Sequence, residues 1–301
     1  MYEFEAARTG IAVLGTALAT YYDLTHNRNV PDWLTFGMLG IGSLAVLAGL
    51  AATGFAGWQE IAVSAVLPAL IVLSGGYLLY RAGQLGGADV LVFAAIALLM
   101  PQAPAGLWPA ANYAVPVPLP FVFSLFLASG ILFGIWTFLR FLAPCIRALM
   151  KGKVKLENEQ KLAIGLFALI DIILAWFTLS SQTPLPFMNI WLVLLLVASV
   201  FAVFFYVFKS FIAEEFLIRR VSVKEMDEED VLAIEEMNPV LVKKYGLQKL
   251  LTRKEIEKLR KLPLKKFPVY KNMPAFMPYV LAALVLSLLL GDPMALVLYS
   301  V

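Results

Sequence analysis

The chain has 301 residues, 61% of them hydrophobic and only 15% charged, with a mean hydropathy of +0.82. Soluble domains do not carry that much apolar surface, so the composition defines a membrane protein. The net charge of +3 leaves basic and acidic residues interleaved, which argues against nucleic-acid binding, and one cysteine (Cys145) and one histidine (His26) build neither a disulfide nor a metal site of their own. No metal and no cofactor is expected.

Apolar stretches of about 20 residues mark membrane spans. Eight are predicted in chain order: Phe4–Tyr22, Trp33–Thr53, Ile61–Tyr80, Ala88–Met100, Phe121–Ala143, Leu162–Leu179, Phe187–Phe208 and Met273–Leu290. The fourth is short and runs into the proline-rich loop PQAPAGLWPAANYAVPVPLP. A cleavable signal peptide is not expected before the first span, because a cationic start and a small-residue cleavage site are missing. Arg28 lies between spans 1 and 2 and Arg81 between spans 3 and 4. Arg140, in the last turn of span 5, clusters with Arg147, Lys151, Lys153, Lys155 and Lys161 between spans 5 and 6, and fifteen further basic residues lie between spans 7 and 8. All fall on one side, and only Arg8 falls on the other. The positive-inside rule makes the basic side cytosolic and puts both termini outside.

The expectation is therefore an all-α integral membrane protein in the cell membrane. It is a polytopic bundle of about eight transmembrane helices with a small charged helical cytosolic domain. Residues 1–208 form the membrane core with seven spans, 209–272 the cytosolic domain, and 273–301 the last span and tail. Within 209–272, MDEEDVLAIEE places acids where a helix N-terminal turn favours them. LTRKEIEKLRKL begins with Thr252 and has Glu255 three positions on, a capping box, with Leu251, Ile256, Leu259 and Leu262 as a partial apolar face. Its basic clusters leave room for a substrate or lipid-headgroup dock. Cys145, at a cytosolic helix end, reads as an ordinary thiol, with palmitoylation as the functional alternative.

Three aspartates stand in or beside spans: Asp23, Asp89 and Asp171. An intramembrane carboxylate is costly and calls for a function or a partner. Asp23 ends span 1, which runs inward, and Asp89 begins span 4, which runs outward, so both lie at the cytosolic boundary. Asp171, in GLFALIDIILAW, lies about ten residues past Lys161 and so roughly 15 Å deep. Asp23 and Asp89 are the pair that can meet. Two carboxylates sharing a site titrate apart, and one then activates water while the other polarises a carbonyl. Gly86 and Gly87 allow close backbone approach to Asp89. The plainer reading of Asp89 is a helix N-cap, and that of Asp171 a hydrogen bond to a neighbouring helix.

GGADVLVFAAIALLMP, residues 86–101, resembles the GxGD motif of membrane aspartyl peptidases, specifically the prepilin and preflagellin peptidases. YYDLTHNRNVPDWLT resembles that family's first catalytic segment, and LTRKEIEKLRKLPLKKFPVYKNMPAFMPYVLAAL resembles the charged helix and last span of archaeal members. The resemblance implies an endopeptidase with Asp23 and Asp89 as catalytic aspartates; by position, Gly86, Gly87 and Ala88 stand at the substrate approach, and Arg28 and Arg81 are candidate substrate or headgroup contacts. Its implied partners are the bilayer and a membrane-inserted precursor protein whose basic leader is removed at the cytosolic face. Ala88 stands where the motif has glycine, and the zinc-binding cysteines of bacterial members are absent. The helix dipole predicts Asp89, at a helix N-terminus, as the base and Asp23, at a helix C-terminus, as the proton carrier. A presenilin-like protease is the alternative, on Tyr22–Asp23 and the misplaced Pro68–Leu70 triplet. A proton-coupled transporter using all three aspartates is the more distant one, since no internal repeat is found.

Overall fold

The computed structural model describes residues 2–26, 29–54, 57–107, 120–180, 186–262 and 264–293. The chain is mostly helical. Eight apolar helical segments coincide with the eight predicted spans: α1 (Tyr2–Thr25), α2 (Asp32–Ala52), α3 and α4 (Trp58–Ile61 and Leu67–Arg81, continuous through a π turn at Ala62–Val66), α5 (Gly87–Leu99), α6 (Phe121–Met150), α7 (Asn158–Ser180), α8 (Pro186–Ile212) and α11 (Met277–Leu290). Five of these are long and apolar enough to cross a membrane: α2, α3–α4, α6, α7 and α8. α5 and α11 are apolar but have only 13 and 14 residues. At 1.5 Å per residue they measure about 20 Å, short of a hydrocarbon core of about 30 Å. α1 has the length but carries Glu3, Glu5, Arg8 and Asp23.

The chain divides into two compact units, Met1–Phe133 with Ala275–Ser300, and Gly134–Pro274. In the first unit α5 is the central helix, packed against α1, α2 and α4. Val90 and every residue from Val92 to Leu99 are buried, which is why this span reads as apolar all round rather than striped. Lipid tails are as apolar as leucine, so the packing gain comes from close contact between small residues. A Cβ on Gly76 of α4 would stand 2.5 Å from Val90 Cγ1, and one on Gly42 of α2 would stand 2.9 Å from Leu98 Cβ. These two glycines set the spacing of the helices that enclose α5. The π turn in the third span precedes Pro68, which has no N–H to continue an α-helical ladder.

The second unit holds the rest of α6, α7, α8 and the charged segment. Cys145 is buried in a cluster with Phe141, Phe204 and Phe208. It is a packing residue, and the palmitoylation alternative loses its accessible thiol. The charged segment is not simply helical. It contains a two-stranded antiparallel sheet, β1 (Ile218–Val221) with β2 (Phe267–Tyr270), beside two short helices, α9 (Pro239–Tyr245) and α10 (Arg253–Arg260). Thr252 caps α10 as expected, accepting a bond from Glu255 N at 3.4 Å, but the Glu255 carboxylate goes to Lys258 at 2.6 Å rather than back to the cap. Leu251, Leu259 and Leu262 are buried with Phe267 and Val269, and Ile256 packs against them. MDEEDVLAIEE forms no α-helix. Asp227 and Asp230 instead hold Lys271 at 2.9 and 2.7 Å, and Val231 and Leu232 bridge to Leu250 and Val269. An acidic run beside a lysine distant in sequence is worth more as ion pairs than as a helix start.

Candidate active site

Asp23 lies in the last turn of α1 and is buried at 7% exposure. Its Oδ2 accepts a hydrogen bond from Met277 N at 3.0 Å. Met277 is the first residue of α11, whose leading N–H groups have no partner within the helix. A carboxylate 254 positions away in sequence therefore caps the last span. The start of α11 is pinned as well by Phe276, whose ring lies 6.2 Å from that of Phe93 on α5 and 5.5 Å from that of Phe133.

Asp89 is the third residue of α5, half-buried, and the cap itself is Gly86. The N-cap reading of Asp89 is thus corrected by position. The carboxylate reaches back and accepts from Gly86 N at 3.2 Å, one orphan donor satisfied from inside the helix. The two glycines have separate tasks. A Cβ on Gly86 would stand 3.0 Å from Asp89 Oδ2, whereas one on Gly87 would stand 3.3 Å from the Tyr80 ring. Gly86 makes room for the carboxylate and Gly87 for a neighbouring aromatic. Ala88 packs on the core of the first unit, so its methyl group costs nothing where a glycine stands in the motif.

Asp23 and Asp89 lie close enough for their charges to interact. The expected dipole asymmetry between them does not hold. It rested on Asp23 facing only a helix C-terminus, and Asp23 also faces the N-terminus of α11. The N-terminus of α11 offsets the C-terminal field of α1 at Asp23, so the dipole argument no longer decides which carboxylate is the base. Beside Asp23, Tyr22 contacts His26 and Trp33 with ring centroids 5.0 and 6.4 Å away, and the His26 Nδ1 lies 2.7 Å from the Thr25 hydroxyl.

The remaining predicted residues fall elsewhere. Arg81 is exposed in the last turn of α4, and Arg28 lies outside the described residues. Asp171 belongs to the second unit, where its Oδ2 accepts from Ser199 Oγ of α8 at 2.8 Å. That is the structural role expected of it. Two residues that matter to the site went unread in the sequence. Met277 was visible only as part of a proline-flanked span start. Arg8 was noticed as the one basic residue on its side, without a partner. Its Nε and Nη2 donate to Leu99 O and Leu98 O, at 2.9 and 2.5 Å, at the C-terminal end of α5. Arg8 and Asp23 share α1, so one helix holds the C-terminal end of α5 and brings a carboxylate near its N-terminal end.

The mostly helical fold, with five helices long and apolar enough to cross a membrane among the described residues, is that of a multi-pass membrane protein. Residues 11–139 match the model of the type IV leader peptidase family, a segment that contains both Asp23 and Asp89. The match covers less than half of the chain; it makes this segment similar to that family and supports a type IV leader peptidase-like protease. Neither the comparison with curated proteins nor that with solved structures yields a match.

Proposed function

We propose that the chain is a membrane aspartyl endopeptidase, with Asp23 and Asp89 as its catalytic pair. It removes the basic leader from type IV pilin-like or archaeal flagellin precursors at the cytosolic membrane face. The observation that carries this reading is the junction of α1, α5 and α11. Asp23, bonded by Met277 N–H, and Asp89, bonded by Gly86 N–H, lie within range of each other's charge there. Held oxygens keep a fixed direction, as general acid–base catalysis requires. Like charges at close range share a proton, so at working pH one carboxylate is ionised and the other protonated. The ionised member takes a proton from water as the oxygen attacks the scissile carbonyl carbon. The protonated member donates to the carbonyl oxygen, and the collapsing intermediate passes a proton to the leaving amine. The single-sided distribution of Lys and Arg supports the cytosolic placement.

The test is cleavage of a co-expressed preflagellin-like precursor, with products read by mass spectrometry. Wild type should cut just before the apolar helix of the precursor. Asp23→Asn and Asp89→Asn should insert normally and not cut. Full activity in either variant removes the two-aspartate mechanism. Cuts several residues inside the apolar helix favour the presenilin-like alternative, and no cutting of any pilin-like precursor favours the transporter.

A further inference from the structure

The second unit contains a cleft of about 780 Å³ at the end of α8. Lys209 and Ser210, in the last turn of α8, form one wall, and Lys243 and Val242 of α9 form another. Glu235, Glu236, Lys249 and Tyr270 complete the polar lining. Two of these close on each other. Glu235 accepts from the Tyr270 hydroxyl at 2.6 Å and lies 3.7 Å from the Lys249 ammonium. Burial alone would raise this carboxyl, but the bonds from Tyr270 and its own backbone, together with the Lys249 charge, hold it below the usual carboxylate range. Lys249 is therefore occupied. Among the described residues neither Lys209 nor Lys243 forms an ion pair, and the Lys209 ammonium rests 5.3 Å over the Tyr206 ring. Three cations and two acids leave the cleft one positive charge in excess, with two ammonium groups uncommitted.

We propose that this cleft holds the phosphate of an anionic phospholipid from the surrounding bilayer, with Lys209 and Lys243 as its cationic contacts. The proposal does not depend on the aspartate pair. It rests on where the cleft lies in the chain. The segment Leu195–Leu217 is long and apolar enough to cross a membrane, and Lys209 lies towards its end. Lysines there extend to the headgroup level. Ala213, Ile234 and Met237 give the cleft an apolar wall, which a glycerol backbone and the first acyl carbons match and a free phosphate does not use. Val240, 71% exposed on α9, adds an apolar contact beside the lining residue Pro239. A basic peptide is disfavoured by the sign of the charge.

The experiment uses the full chain purified in dodecyl maltoside with equal amounts of phosphatidylglycerol and phosphatidylcholine, and counts retained lipid by native mass spectrometry. Wild type should retain phosphatidylglycerol in preference. Lys209→Gln with Lys243→Gln should lower that retention about thirty-fold, and Lys243→Gln alone about fivefold. The single variant changes only an exposed side chain, so it reads the site even where the double variant folds poorly. Lys224→Gln with Lys265→Gln removes the same charge outside the cleft and should leave retention unchanged. Equal loss in that control pair, or equal retention of the two lipids, overturns the proposal. Displacement of the lipid by millimolar inorganic phosphate, or by an acidic peptide, also overturns the assignment to a phospholipid.

Discussion

Arg8→Met removes two hydrogen bonds while keeping an unbranched apolar stem, and its effect can be worked from the structure. The last carbonyls of a helix have no partner within it, and Leu98 and Leu99, which accept from Arg8, are both buried. Met100 N already takes Ile96 O at 2.7 Å, so the guanidinium serves carbonyls that nothing else on α5 reaches. A bond with one charged partner contributes about 1.5–3 kcal/mol. Arg8 is half-buried, so the low end applies, and the pair together contributes about 3 kcal/mol. At about 2–4 °C per kcal/mol for a unit of this size, melting should fall by roughly 6–12 °C. Cleavage should fall further than the loss of folded protein explains. Freeing the C-terminal end of α5 lets Asp89 drift relative to Asp23, and a displacement of about 1 Å costs up to roughly a hundredfold in rate. Arg8→Lys, which reaches one carbonyl, should lie between. The assay is thermal unfolding in detergent beside cleavage of a precursor at a temperature where every variant is folded. Wild-type melting and cleavage in Arg8→Met, or no difference between the lysine and methionine variants, would refute the reasoning.

Asp23 carries two duties, and substitutions should separate them. Asn keeps an oxygen for Met277 N–H, so Asp23→Asn should melt like wild type while failing to cleave, whereas Asp23→Ala should also lose about 1 kcal/mol of capping; equal melting of the two variants would mean that the cap is unimportant. Gly76→Ala should destabilise the first unit, because its methyl group meets the stiff Val90 side chain, and Val90→Ala should restore it; Gly130→Ala, with nothing within 4 Å, is the neutral comparison in the same melting assay. Asp171→Asn, which keeps an oxygen for the Ser199 hydroxyl, should retain most peptidase activity and melt like wild type, whereas Ser199→Ala should cost about 0.6 kcal/mol of stability. An inactive, well-folded Asp171→Asn would place that residue in the mechanism after all.

The apolar helices, five of them long enough to cross a membrane, were legible because hydropathy is a property of neighbouring residues. All eight apolar segments became helices, and GGAD marked the right helix start. What stayed hidden was pairing between distant parts. Nothing near Asp23 says that it meets Met277, and nothing near Arg8 names Leu98 and Leu99, because a polar group in a bundle can take any partner at its depth. The strands were hidden for a different reason. IRRV and FPVY are four residues each, too short for alternation to show, and Pro268 argues against a strand unless it lies at an edge. The acidic run was misread because helix-start chemistry and ion pairing ask for the same residues.

The short helices connect the fold to the proposed chemistry. α5 and α11 are each about 10 Å shorter than the hydrocarbon core, and both are fixed at both ends. Arg8 holds the C-terminal end of α5, and Leu107 N donates to the carbonyls of Leu288 and Leu289 at the end of α11, at 3.2 and 3.0 Å. Their N-termini meet the two aspartates. A full-length helix would carry its N-terminus out to bulk water, where a carboxylate pair is screened and a substrate helix has already ended. A short one stops within the membrane boundary, where unfilled backbone N–H groups must find carboxylates and where the last residues before a substrate's apolar helix are still extended. Extended backbone is the form a peptidase can attack. On the proposed reading, the truncation of α5 and α11 accounts for two carboxylates being tolerated there and for cleavage beside an apolar helix rather than within it.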